Sequence, residues 1–274
     1  MGMLDNIQTG RENKPPRIMI YGSEGIGKSS YAAGAPNAIF IQTEDGLGEI
    51  DCRKFPLAHS LSEVIAELTA LRDEAHEFQS VVVDSVDWLE RLIFDEVCRE
   101  FGVRSIEKAD GGYGRGYTHA LTHWRKVISL LQELRDKRGM MVILVAHAKV
   151  ERFEDPENAA YDRYTPRLHK HAASLIAEWV DAVLFANKKF RVTKENAGFN
   201  GERAIAAPIG AAASAVGRVI MWATELQPFF MGIIRTVGSP ACIAKNRYGL
   251  PSEIPLSWQA FIEAYTKIEE NHHE

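Results

Sequence analysis

Four stretches of this chain are nearly unbroken apolar runs: RIMIY (17–21), AIFIQ (38–42), SVVVD (80–84) and MMVILVA (140–146). A strand with one face in water alternates apolar and polar side chains, whereas a strand covered on both faces does not. The runs therefore predict strands of a sheet with helices on each side. The intervening segments carry the helical period. Leu61, Val64, Ile65, Leu68 and Leu71 form one stripe, opened by a capping-box pattern at Ser60 and Glu63. Leu89, Leu92, Ile93 and Val97 form a second, and Leu121, Trp124, Ile128, Leu131 and Leu134 a third. Strand and helix in alternation predict an α/β fold built on a central, mostly parallel sheet.

The pattern loosens after residue 170, where a helix over 172–180 is followed by expected strands near 182–186, 188–193, 231–237 and 241–245 as antiparallel additions. Residues 204–216 (AIAAPIGAAASAV) fit helix or loop equally. The expected layout is a flexible arm over 1–16, a core over 17–257 with 194–230 as a candidate insertion, and a C-terminal helix with a polar tail over 258–274.

Composition narrows the classes. Apolar residues make up 46% and charged residues 25%, enough to build a core and unlike a disordered or collagenous chain. With 32 basic and 37 acidic side chains the net charge is −5, so any grip on nucleic acid must be local. Cys52, Cys98 and Cys242 are scattered without ligand spacing and read as reduced thiols of a cytosol-like compartment. No run is long enough to cross a bilayer, and the N-terminus lacks an apolar signal core.

The sharpest chemical signal is Gly22-Ser23-Glu24-Gly25-Ile26-Gly27-Lys28-Ser29, which fits G-x-x-x-x-G-K-[ST] and continues into Ser30. Its glycines let the backbone curl so that successive amides face a phosphate. Lys28 reaches the β- and γ-phosphates of a nucleotide and the Ser29 hydroxyl can ligate Mg²⁺. Asp84 closes the run SVVVD, where an acid can hold water on that metal. Hydrolysis also needs a carboxylate that orients the attacking water. Glu44, just after AIFIQ, lies where open parallel sheets place their ligands, with Asp45 as its rival.

In this order GSEGIGKS (22–29), Glu44 in QTEDG and VVVDSV (81–86) resemble the RecA-type ATPase core. The resemblance implies a RecA-like P-loop ATPase that uses ATP and Mg²⁺ and hydrolyses slowly with stimulation by DNA. It also implies that a fourth strand ends in a γ-phosphate sensor, matched by His147 in LVAHAKV, where RecA has Gln. Lys245-Asn246-Arg247-Tyr248-Gly249 resembles the KNRFG-type motif of bacterial RadA, whose cations reach the ATP of a neighbouring subunit; Lys245 and Arg247 match them. YGSEGIGKSSYA, VVVDSVDWLE, GGYGRGY and AKNRYGLP look most like the phage-encoded RecA-like ATPases associated with single-strand annealing and recombination. That likeness implies single-stranded DNA, homo-oligomeric rings or filaments, a single-strand-binding protein as partner, and a cytoplasmic location, the host's if the chain is phage-encoded.

A DNA-binding surface has its own residue signal. Residues 99–126 hold six basic and three acidic side chains and include GGYGRGY (111–117), in which Tyr113 and Tyr117 offer stacking faces and Arg115 a phosphate contact. A second candidate spans 148–171, with Arg163, Tyr164 and Arg167; Lys188, Lys189, Arg191 and Lys194 form a third. Two other readings share the same motifs: a motor or loader in replication or repair, and a nucleotide-switched scaffold that touches no DNA.

Overall fold

The computed structural model describes residues 3–7, 9–10, 14–188, 190–196, 202–208 and 232–270. From the amino end the chain runs through β1 (Arg17–Gly22), α1 (Lys28–Ala33), β2 (Ala38–Gln42), the two-residue β3 (Arg53–Lys54), α2 (Leu61–Asp73), β4 (Ser80–Asp84), α3 (Val86–Glu100), α4 (Arg115–Arg138) and β5 (Met141–Phe153). It continues through β6 (Tyr161–Pro166), α5 (Lys170–Trp179), β7 (Ala182–Lys188), β8 (Phe190–Asn196), β9 (Glu202–Pro208), β10 (Gly232–Arg235), β11 (Lys245–Asn246), β12 (Glu253–Pro255) and α6 (Trp258–Glu270).

The four apolar runs are strands of one sheet, in the order β12-β10-β7-β1-β5-β4-β2-β3. From β7 to β3 the neighbours are parallel, while β10, β11 and β12 add antiparallel pairing at the β7 side. Both faces are covered, which is why these strands do not alternate. Met19, Tyr21, Val81, Val83 and Leu144 pack under α2, α3, α4 and α5. Their neighbours in the chain, Ile18, Ile20, Val82, Ile143 and Val145, pack under α1 and α6 around Tyr31, Trp258 and Phe261.

The helix stripes hold with small rotations. The α2 stripe is buried at Leu61, Val64, Leu68 and Leu71. Ser60 Oγ accepts the Glu63 amide at 3.3 Å, and the Glu63 carboxylate accepts the His59 amide at 2.8 Å, one residue outside the expected capping box. In α4 the buried line runs through Trp124, Val127, Leu131 and Leu134, so Leu121 and Ile128 lie at its margin.

The strand of the fourth apolar run is longer than the run itself, and two expectations are corrected. β5 continues to Phe153 and pairs with β6 as a hairpin, setting Glu151 opposite Arg163 and Arg152 opposite Asp162. Opposed charges across a ladder favour that pairing. Residues 202–208 are neither helix nor loop but the strand β9, antiparallel to β8 in a separate two-stranded sheet. The end of the N-terminal arm is tied down, since the Pro15 carbonyl accepts Arg135 Nε at 2.6 Å and the Pro16 carbonyl accepts the Val142 amide at 3.0 Å. The rest of 204–216, most of 194–230, Lys189 and the side chains of Arg191 and Lys194 lie outside the described residues.

Candidate nucleotide-binding site

The parallel register brings the ends of the inner strands to one edge. Gly22 pairs with His147 on one side and Ala186 on the other, while Asp84 pairs with Gln42 and Val145. Gly22 is required by packing, because a Cβ there would collide with the Ala186 carbonyl oxygen. Beyond it the chain turns through Gly25 (φ +65°) and Gly27 (φ +104°), conformations that L side chains resist, and enters α1 at Lys28. The cleft above this edge has a volume of about 630 Å³; Lys28, Ser29, Ser30, Glu44, Asp84 and His147 are among its lining residues. Glu24, Gly25 and Gly27 also line it, whereas Ile26 is buried in the core under α1.

Each polar group has a defined position. Lys28 Nζ donates to the Gly22 and Ser23 carbonyls at 3.1 and 2.9 Å. Burial lowers the Lys28 pKa, against the opposing pull of Asp84, Asp87, Glu44 and Glu24. Asp84 is raised by burial and by Glu44, and drawn back by the Ser29 hydroxyl and Lys28. Glu44 accepts Ser85 Oγ at 2.9 Å, and Thr43 Oγ1 donates to the Ser85 carbonyl at 2.6 Å, fixing the loop after β2 to the turn after β4. The Asp84–Ser85 peptide is cis.

The donor set suits a hard divalent cation. Asp84 Oδ2 is buried and has no hydrogen-bond partner among the described residues, an acceptor left for a metal-bound water. Ser29 and Asp84 are therefore the residues that would hold Mg²⁺.

His147 sits beside the phosphate loop, opposite Gly22, and is bonded to a buried acid. Its amide donates to Asp87 Oδ1 at 3.0 Å, and its Nδ1 lies 3.1 Å from Asp87 Oδ2 and 3.7 Å from Glu44 Oε2. Burial would push Asp87 up, yet the bonds from His147 and Arg167 hold its carboxyl well below the usual carboxylate range. Asp87 escaped the sequence reading although it lies three residues after Asp84 in VVVDSVDWLE, where the first turn of α3 returns to the same edge. Trp88 and Arg91 from that helix also line the cleft, with the Arg91 guanidinium 4.0 Å from the Trp88 ring centre.

The expected DNA-facing residues divide. Tyr113 is fully exposed in the glycine-rich turn before α4, with Arg115 exposed beside it. Tyr117 is half-buried, stacked on His169 at 4.0 Å with an edge-to-face contact to Phe94. Tyr164 is 41% exposed on the β6 hairpin, and Arg163 lies over the Phe153 ring at 3.8 Å. Arg167 lies in the nucleotide cleft instead, with Nε and Nη2 on Asp87 Oδ2 at 3.0 and 2.9 Å.

Lys245 and Arg247 lie at the opposite end of the strands, since Lys245 pairs with Val183 near the start of β7. Lys245 Nζ donates to the carbonyls of Ala177, Glu178 and Val180 and so closes the C-terminus of α5 rather than projecting from the surface. Arg247 is more open, with its side chain 55% exposed and Nη1 3.7 Å from Asp181.

A phosphate loop, an acid at the end of an inner strand beside it and a carboxylate after β2, carried on this helix-flanked sheet, define the class as a P-loop ATPase. A family model described as an AAA domain matches residues 14–248, and the chain belongs to that family. It is 26% identical over 172 residues to the SPbeta prophage-derived uncharacterized protein YorG of Bacillus subtilis (strain 168). That match covers 61% of this chain and 49% of YorG, so the chain spans about half the length of this curated relative. The crystal structure of the RadB recombinase is similar with a TM-score of 0.39 at 13% identity, over 64% of this chain and 76% of that one. Among the described residues no helix is long and apolar enough to cross a membrane.

Proposed function

We propose that the protein is a Mg²⁺-dependent, DNA-stimulated ATPase that binds single-stranded DNA and promotes annealing or strand exchange as an ATP-linked homo-oligomer, working with a single-strand-binding protein. The observation that carries this reading is the convergence of Lys28, Ser29, Glu44, Asp84 and His147 on one cleft at one sheet edge. Mg²⁺ held by Ser29 and Asp84 would offset phosphate charge as the bond to the leaving oxygen weakens. Glu44 would accept a proton from the attacking water, with Ser85 Oγ fixing the carboxylate in place. Lys28 would leave the Gly22 and Ser23 carbonyls for the phosphates.

The DNA part of the reading rests on Tyr113, fully exposed in the glycine-rich turn two residues before Arg115, and on Tyr164, which is 41% exposed with one ring face stacked on Phe185. Base stacking on such a ring is worth about 1–3 kcal/mol per base. Fluorescence anisotropy with a labelled oligonucleotide, with and without ATP and Mg²⁺, tests it. Binding is expected, weakened by Tyr113→Ala roughly 5- to 100-fold. No binding at low salt in either state refutes the DNA reading and leaves a nucleotide-switched scaffold.

A further inference from the structure

Arg91 and Arg167 both line the cleft and the proposed chemistry uses neither; Arg167 is the one that reaches the phosphate loop. Its backbone position is set by the sheet edge, because the Arg167 amide donates to the His147 carbonyl at 2.8 Å. From there its guanidinium spans the mouth of the cleft. Nε and Nη2 rest on Asp87, while Nη1 reaches Glu24 Oε1, in the phosphate loop itself, at 3.4 Å.

The two contacts are unequal. Glu24 is 74% exposed and its contact is long, so it holds Arg167 weakly. Asp87 is 2% exposed, but it already accepts the His147 amide and faces the His147 ring. If Arg167 leaves, Asp87 keeps those partners and is not stranded as an unpaired buried charge. An anion arriving over the phosphate loop competes first with Glu24, the loosest link.

We propose that Arg167 is a specificity-determining residue of the same subunit's nucleotide site, transferring from Glu24 to the terminal phosphate of a nucleoside triphosphate and thereby distinguishing triphosphate from diphosphate. This rests on reading the cleft as a nucleotide site. It replaces the DNA contact that the sequence assigns to Arg167. A guanidinium is suited to the task, since its fork can bridge a phosphate and the Asp87 carboxylate at once. Glu24 then serves as the resting partner that an incoming phosphate displaces.

Isothermal titration calorimetry with ADP and a slowly hydrolysed ATP analogue separates the outcomes. Wild-type protein is expected to prefer the triphosphate. Arg167→Gln should weaken the triphosphate roughly 10- to 100-fold while moving ADP less than about threefold, and Arg167→Lys should recover part of the difference. Glu24→Gln, which frees the guanidinium, should tighten the triphosphate about two- to fivefold. Equal weakening of both nucleotides by Arg167→Gln, or an unchanged ratio, overturns the assignment while leaving the nucleotide site intact. Loss of single-stranded DNA affinity in nucleotide-free Arg167→Gln also overturns it, in favour of a DNA contact. If wild-type protein binds neither nucleotide, the reading of the cleft itself falls, and this assignment with it.

Discussion

At the scale of single residues, Glu44 and Asp84 are acids of one edge with different surroundings. Asp84 is buried and carries an oxygen without a hydrogen-bond partner among the described residues, so it suits accepting from a metal-bound water. Glu44 is tethered by a neutral hydroxyl and lies on the cleft wall, which suits proton transfer. Glu44→Gln keeps the shape and the bond from Ser85 but removes the base. Turnover should fall about 10²–10⁴-fold. Nucleotide affinity measured by calorimetry should stay within about twofold, since the lost group acts on the attacking water rather than on the bound phosphates. Turnover that survives in Glu44→Gln and vanishes in Asp45→Asn would transfer the role to Asp45.

At the scale of elements, α3 joins the cleft to the rest of the fold through residues one turn apart. Asp87 holds His147 and Arg167, while Glu90 accepts the His169 amide at 2.8 Å, and the His169 ring stacks on Tyr117 of α4. Burial raises the Glu90 pKa from 4.5 to about 7, opposed by the His169 amide and Trp124. The folded state thus favours the protonated acid. Its contribution to stability is complete below the unfolded value of 4.5 and is lost as pH rises through about 7. Glu90→Gln should therefore gain on wild type as pH rises from about 5 to 8, by as much as about 2–3 kcal/mol. Urea midpoints at the two pH values measure it, and a constant difference between variant and wild type would refute the buried-acid account.

The same element shows what sequence alone could disclose. The strands were legible because burial on both faces removes their alternation, and the phosphate loop because its residues are contiguous. The Asp87–Arg167 bond was not, because the partners are 80 residues apart and meet only after β5 and β6 fold back as a hairpin. The basic and aromatic content of 148–171 was visible, but not that Arg167 turns toward the nucleotide cleft while Tyr164 stacks on Phe185 of β7. The packing of Tyr117 was hidden for a related reason. Tyr117 adjoins a glycine-rich turn, yet it already lies in the first turn of α4, where its ring stacks on His169.

At the scale of the molecule, the question is whether one subunit completes its neighbour's site. Lys245 is spent within its own subunit on three carbonyls at the end of α5, so Lys245→Ala should act mainly through folding. Arg247 differs. Its nearest acid, Asp181, is already held by Arg17 at 2.7 Å and by Tyr248 Oη at 3.0 Å, so Arg247 can leave without stranding a charge. It also lies at the end of the sheet opposite the phosphate loop, where it reaches a nucleotide only if that nucleotide belongs to another copy. A head-to-tail assembly places unlike surfaces in contact, and ring or filament then depends on whether the rotation closes. Lys28→Ala and Arg247→Ala proteins should each be nearly inactive alone. Mixed in equal amounts, they should recover about a quarter of wild-type turnover, because only junctions pairing an intact loop with an intact arginine hydrolyse ATP. Phosphate release across a range of mixing ratios measures this. A flat, inactive profile from mixtures that still co-assemble would refute action across the interface and leave Arg247 as a partner of Asp181 alone.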